Sequence, residues 1–548
     1  MDNSTINRTV QAYVYGATVD ASDNVLVDGS MLGSITSTAL AGSLGGFAAD
    51  GAISDINETT NTDAFIDDGA DVTAAGSVGI LANRNTSLTT HDGSVAAGAV
   101  LGVNGSVSTV TKNDTVSAYV GANTSVTALG QGAGLSVPVD DNGSIATATV
   151  NGLSVAATAV ETLQTVAIGA SESSGFSGTG SATTNNITEN TSALIDNRAT
   201  VNAVNTGAAS DQGVNVLASD ETNLTSADGA AAVSLDVGAG IGAGVDIGNI
   251  QKTTTAGIEN GANVNALGAV NVDGLSTETI NTYVAAVGGS IGVGLAGTTA
   301  DYSSHPIKTT TTAYVGSCTT SSSCSGGATV NAGSLALDAN DNMQFNAITG
   351  ELSAGAAALG AGTFEVVADG NTSAYVGALS DITTNTGGVS VNSTFTDNLV
   401  GSALAGSGGA LASGAGAYGS ITDNSNNNAS IDDGVSITSA GAVNEGASTT
   451  RNLSVTTGAL AVSAGLSGGA VIGLTSTNGS TAAALGNNVA IGGASLLVYA
   501  NDNSAASSTG TAISAGIGSG QYNQSTADLG GSVTASIGNE ANINVSGD

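Results

Sequence analysis

The chain has 548 residues, 41% of them hydrophobic but only 3% aromatic and none Trp, so its interior has to be filled by Ala, Val, Ile and Leu. Seven Lys and Arg stand against 44 Asp and Glu, a formal charge of −37, which excludes nucleic acid and anionic membrane surfaces as partners because both are bound through many basic contacts. Gly makes up 80 residues and Pro only 2; together with recurrent Val, Ile and Thr this excludes a disordered linker, and acids that are mostly Asp favour turns over helices.

At the amino terminus, residues 1–10 (MDNSTINRTV) have neither the basic start nor the apolar core of a secretory signal. The most apolar windows, such as 284–297 (VAAVGGSIGVGLAG), are Gly-rich and too short to cross a bilayer as a helix. Ten Tyr and six Phe cannot supply the two aromatic girdles of a membrane β-barrel.

From there one phrase recurs in chain order, each copy opening on an Ala: Ala12, Ala64, Ala118, Ala193, Ala256, Ala313, Ala374, Ala429, Ala483 and Ala535. Their spacings run from 52 to 75 residues, and a period in this range marks a stacked array, so residues 1–548 are read as one continuous repeat domain. In every copy the third position is aliphatic, whereas the middle one varies through Tyr13, Phe65, Leu194, Gly257 and Ser430. Residues one and three share a face of a strand. The Ala and the aliphatic residue are therefore expected inward, the variable residue outward.

A second phrase follows within one turn, as at Val72-Thr73-Ala74, Val126-Thr127-Ala128 and Val330-Asn331-Ala332, and a third alternates again, as at Val214-Asn215-Val216 and Val270-Asn271-Val272. These read as short strands separated by Gly, Asn and Asp turns. The rest of each repeat is a Gly/Ala/Ser tract such as 401–421 or 457–474. The pattern predicts an all-β fold: an elongated, right-handed parallel β-solenoid of about ten repeats of ~58 residues with two or three coils each. At ~4.8 Å per coil that is a rod of roughly 90–130 Å. Ten small β-sandwiches on a string are disfavoured, since ~58 residues is short for a sandwich.

The phrase T-x-A-Y-V/I-G, followed by V-x-A, a Gly turn, V-x-V and a Gly/Ala-rich tract, resembles the repeats of giant bacterial surface exoproteins, the leukotoxin-like and filamentous-haemagglutinin-like filamentous adhesins, over essentially the whole chain. The resemblance implies an extracellular or cell-surface, non-enzymatic structural rod, the stalk of a giant adhesin facing a host or neighbouring-cell surface. The competing reading is a subunit of a homopolymeric filament or surface layer, associating end to end or side by side. The chain shows neither the secretion domain nor the anchor of that family and starts and stops within a repeat, as a segment or a stacking subunit would.

Chemical motifs are sparse. Lys112, Lys252, Lys308, Arg8, Arg84, Arg198 and Arg451 are scattered singly, and His91 and His305 stand far apart without a nucleophile motif, so no enzyme is expected. The G-x-G-x-x-G match at 292–297 needs a following helix to bind a dinucleotide, and none is expected there. Calcium is the one ligand for which Asp turns could supply oxygens, at Asp67-Asp68-Gly69, Asp140-Asp141-Asn142-Gly143 and Asp432-Asp433-Gly434, although the same letters simply build turns. Thr runs such as 309–312 lack the T-x-T regularity of an ice-binding face, and the N-x-S/T triplets would permit glycosylation. Cys318 and Cys324 are the only two cysteines and lie in an insertion; five residues between them can close into a disulfide.

Overall fold

The computed structural model describes residues 1–291, 296–321, 324 and 326–547. The sites of the 292–297 match at 292–295 lie outside the described residues. Every described element is a strand or turn, and no helix occurs among them. The sheets are parallel throughout, apart from one antiparallel hairpin, Leu135–Asp140 with Ile145–Val150. The chain is a β-solenoid.

Each coil has three sides, and the third repeat phrase opens it. In one coil an outgoing arm leaves at Val389 and runs to Gly409, the chain bends at the tip, and a returning arm comes back from Ala412 to Asp423 and along Asn426–Ile431. A short base strand, Ser436–Ser439, closes the coil. Several coils have both arms in one 43-residue strand, such as Val78–Val120.

The Ala anchors lie directly on one another: Ala12 pairs with Ala64, Ala64 with Ala118, and so on to Ala483 with Ala535. The repeat is therefore one coil, not two or three. Two or three coils per repeat would need short strands alone, whereas the Gly/Ala/Ser tracts are themselves strand and lengthen each arm to about 20 residues. Nine steps of ~4.8 Å give about 43 Å along the axis, while arms of about 20 residues at ~3.3 Å reach about 65 Å sideways. The array is a broad fin, wider than it is long, rather than a rod of 90–130 Å.

The three phrases line a triangular prism at the base of the fin. Ala and aliphatic residues of the first phrase, the Val/Ile column Val72, Val126, Val201, Val264, Val330, Ile382 and Ile437 of the second, and the column Val78, Leu153, Val214, Val270, Leu335 and Val389 of the third form one buried apolar cluster. The expected inward positions are inward: Ala64, Ile66, Ala193, Ile195, Ala313 and Val315 are fully buried. Such columns arise because parallel pairing places equivalent residues of successive coils side by side.

Candidate functional site

Beyond the prism the two arms pack face to face, and their inward positions change character with distance from the base. In the coil Val78–Val120 the order on the outgoing arm is Val78, Ile80 and Ala82, then Arg84, then Leu88, then Thr90, Asp92 and Ser94, all buried. The returning arm matches it with Val116, Asp114 and Lys112, Val110, Ser108 and Ser106. An apolar prism, a charged layer, an aliphatic layer and a hydroxyl-rich tip follow one another.

The charged layer gathers residues from successive coils. Arg84 pairs with Asp114 and Glu161, and Lys112 with Asp114, with Glu161 at 2.5 Å and with Glu58 at 3.4 Å. Glu189 approaches both cations, at 3.4 Å from Arg84 and 3.6 Å from Lys112. Burial lowers the Arg84 guanidinium to about 10, against the pull of Asp220 and Glu58, and holds Lys112 well below the usual ammonium range, aided by the repulsion of Arg84. Further along, Lys252 lies 3.1 Å from Asp220 and 2.9 Å from Glu278. Loss of hydration acts to lower Lys252, but these two carboxylates outweigh it and raise the ammonium. Arg451 closes the series, 2.6 Å from Asp423 and 2.7 Å from Asp502.

Four of the seven basic residues, Arg84, Lys112, Lys252 and Arg451, are thus interior ion-pair partners rather than singly scattered surface charges; Arg8, Arg198 and Lys308 remain exposed. Among the described residues, only Asp114, Glu161 and Glu189 bring three ligand atoms within 4.8 Å of one another. There the Arg84 and Lys112 side chains already supply the positive charge.

The tip also assembles a set that the linear sequence hides. Ser303 lies 3.3 Å from Nδ1 of His305, whose Nε2 lies 3.4 Å from Asp246. Thr183 and Ser226 donate to Asp246 at 2.7 and 2.8 Å. Ser303, His305 and Asp246 are all fully buried, and burial lowers the His305 pKa, so the hydroxyl is sealed from any substrate. Nearby carboxyls are pushed up by burial, Asp228 to about 8, Asp301 to about 7 and Glu351 to about 9, with like-charged neighbours adding to the effect at Asp228 and Glu351.

The Asp turns act through stacking. Asp67 accepts from the Asp68 backbone N–H at 2.7 Å, and its carboxylate covers Gly121 of the next coil, where an added Cβ would sit 1.8 Å from it. Asp433 likewise accepts from the backbone N–H of Asn487 at 2.7 Å. At this corner Gly121 and Gly486 leave room for the Asp67 and Asp433 side chains of the preceding coil.

The turn at Asp140 has a different setting. It ends the antiparallel hairpin, whose Leu135, Val137, Val139 and Val150 cover the outward Leu81, Ala156 and Leu217. Asp140 and Asp338 line a polar cavity of about 510 Å³, and both act electrostatically on Asp273. Burial raises all three, and repulsion adds to it, from Asp338 and Asp140 at Asp273, from Asp140 at Asp338 and from Asp141 at Asp140.

Cys318 and Cys324 are bonded, with Cα atoms 5.9 Å apart. Asn260 of the preceding coil donates to the Cys318 sulfur at 3.0 Å and to Ser317 at 2.8 Å, tying the inserted corner to the array.

The middle column of the anchor phrase is outward but not idle. Tyr13, Phe65 and Tyr119 stack at 5.2 and 4.9 Å between ring centroids, and Tyr314 stacks on Tyr375 at 5.4 Å. Tyr314 also covers Gly257 and donates to Glu259, which leaves it 6% exposed.

Comparison of the chain with family models, with curated proteins and with solved structures finds no match.

Proposed function

We propose that the chain is an extracellular, non-enzymatic structural element, the stalk of a giant bacterial cell-surface adhesin. The observation that carries this reading is the unbroken parallel register, in which one Ala column runs through ten coils and successive coils are hydrogen-bonded along their arms and base. Such an array transmits load between its ends through many backbone bonds acting together and can be lengthened one repeat at a time. The strongly acidic composition, the paired cysteines and the resemblance of the repeats support an extracellular setting.

A second reading, a subunit of a filament or surface layer, is favoured by shape. A coil that uses ~58 residues to rise ~4.8 Å gains little length and much lateral face. Immunogold electron microscopy on the source cells separates the two: label along projecting fibres supports the stalk, and label over a continuous lattice supports the layer. Label confined to the cytoplasm, or two free thiols in unreduced protein from those cells, overturns the extracellular role.

A further inference from the structure

The tip of the fin reverses the usual arrangement of polar and apolar residues. Its interior is filled by groups such as Ser106, Ser108, Thr183 and Asp246, whereas the outward positions of the same strands are apolar. On the returning arm, four outward columns run along the fin through Leu101, Val103, Gly105 and Val107 and their partners in nine coils. None of the residues in these columns is charged, although the chain carries 44 acids. Phe47 is 76% exposed here, Leu359 60% and Tyr522 54%. Continuous apolar surface of this kind marks an interface.

From this face we propose that two copies of the chain pair through the returning-arm tips, antiparallel, about a two-fold axis that passes at Ala300. The proposal deepens the structural role above by naming a partner, but its test needs no knowledge of location.

The relief of the face selects the partner. It sets large exposed side chains, such as Phe47 and Leu466, beside small ones, with a groove of about 680 Å³ over Leu359, Gly414, Gly468 and Ala470. An added Cβ at Gly468 or Gly520 would meet nothing within 4 Å. A two-fold axis along the strands keeps each column over itself and reverses the order of coils. Counting coils outward from Ala300 then sets Val103 over Gly468, Phe176 over Ala412 and Tyr418 over Ala182. At these positions large residues meet small ones, Leu101 meets Leu466 and Ile241 meets Leu359 as apolar pairs, and a copy with the same ~4.8 Å coil spacing keeps the columns aligned along the whole face. Seven residues of strand, about 20 Å, by about 40 Å of stacked coils give roughly 800 Å² per copy, the size of a standard stable interface. Acyl chains would fit an apolar strip too, but they do not call for Gly and Ala hollows, which let a second backbone approach closely. The uncharged strip is also where two chains of −37 can meet with least repulsion.

Sedimentation velocity and mild oxidation of the purified chain test this. The wild type is expected to sediment as a dimer, and Phe176→Glu as a monomer with an unchanged circular dichroism spectrum. Ala300→Cys, placed at the axis, is expected to give a covalent dimer on oxidation, whereas Asn85→Cys on the exposed outgoing arm is not. A monomeric wild type, a Phe176→Glu chain that remains dimeric, or equal cross-linking at positions 300 and 85 overturns the proposal. So does binding of the wild-type monomer to neutral phosphatidylcholine vesicles that Phe176→Glu abolishes, which would assign the face to lipid.

Discussion

The base prism and the arms share one backbone register but are filled by opposite chemistry. In the prism each column repeats the same small set of residues, Ala over Ala and Val over Ile, and the core is uniform from coil to coil. In the arms the same parallel ladder places Glu58 beside Lys112 and Thr60 beside Asp114, so neighbouring coils must complement rather than copy one another. The prism makes the coils stack; the charged layer decides which coil can follow which. Buried charge is a weak source of net stability but an effective means of rejecting wrong partners and registers.

The largest effect that separates the two regions is expected at Lys112. Lys112→Met keeps the length of the side chain but leaves Glu58, Asp114, Glu161 and Glu189 facing only Arg84. Removing one partner of a buried ion cluster costs about 3–5 kcal/mol. Urea denaturation together with hydrogen exchange is expected to show the loss centred on coils 78–120 and 152–195. A loss below that of a prism substitution would remove the charged layer from its role in register.

Next comes the pH dependence of the tip, because several carboxyls act together. Asp228 at about 8, Asp301 at about 7 and Glu351 at about 9 lie well above the unfolded range near ~4. The folded chain therefore holds more protons than the unfolded one across this interval. Their contribution to stability is complete below about pH 4 and declines as pH rises through the folded values. Thermal melts are expected to fall from pH 5 to pH 9, and Glu351→Gln with Asp228→Asn to flatten the decline. A melting temperature that rises over the same range contradicts the assignment.

The contrast also explains what the sequence made legible. The solenoid, the ten anchors and the inward face of Ala313 and Val315 followed from columns that repeat one residue type. The charged layer did not, because Glu58, Arg84, Lys112, Asp114, Glu161 and Glu189 come from neighbouring coils and no single repeat contains the set. A signal was present: Lys112, Asp114, Glu189 and Lys252 stand an even number of positions before their anchor Ala, which places them on its inward face. The coil count was misjudged because Gly/Ala/Ser tracts have weak strand character by residue type and become strands through the ladder that neighbouring coils provide.

In the prism, Ala313→Leu adds bulk where Ala256 and Ala374 lie on either side and all three are fully buried. Overpacking costs about 1–3 kcal/mol, and adjacent columns of small residues in the same register leave little room for adjustment. Limited proteolysis of the full chain should open first around residues 296–330. An Ala313→Leu chain as resistant as the wild type would show that the prism can expand, and the uniformity of its columns would need another cause.

The smallest effect is expected on the outer side of the same phrase, where sequence variation alone suggests full tolerance. At Tyr314 the ring is nearly buried, stacks on Tyr375 and gives its hydroxyl to Glu259, while Tyr13 at the first coil is 59% exposed and stacks only on Phe65. An aromatic pair contributes about 0.5–1.5 kcal/mol beyond the area its rings bury, so Tyr13→Ser, on a ring that is mostly exposed, should cost about that much and Tyr314→Ser more. The column is variable because a Gly at 257 accommodates the Tyr314 ring and a Ser at 430 follows Tyr375, each residue fitted to its neighbours in the stack. A double-mutant cycle of Tyr314→Ser with Tyr375→Ser measures this directly. Coupling near zero would mean that the rings merely lie side by side; coupling comparable to the single loss would make the outer column, like the charged layer, a place where one coil recognises the next.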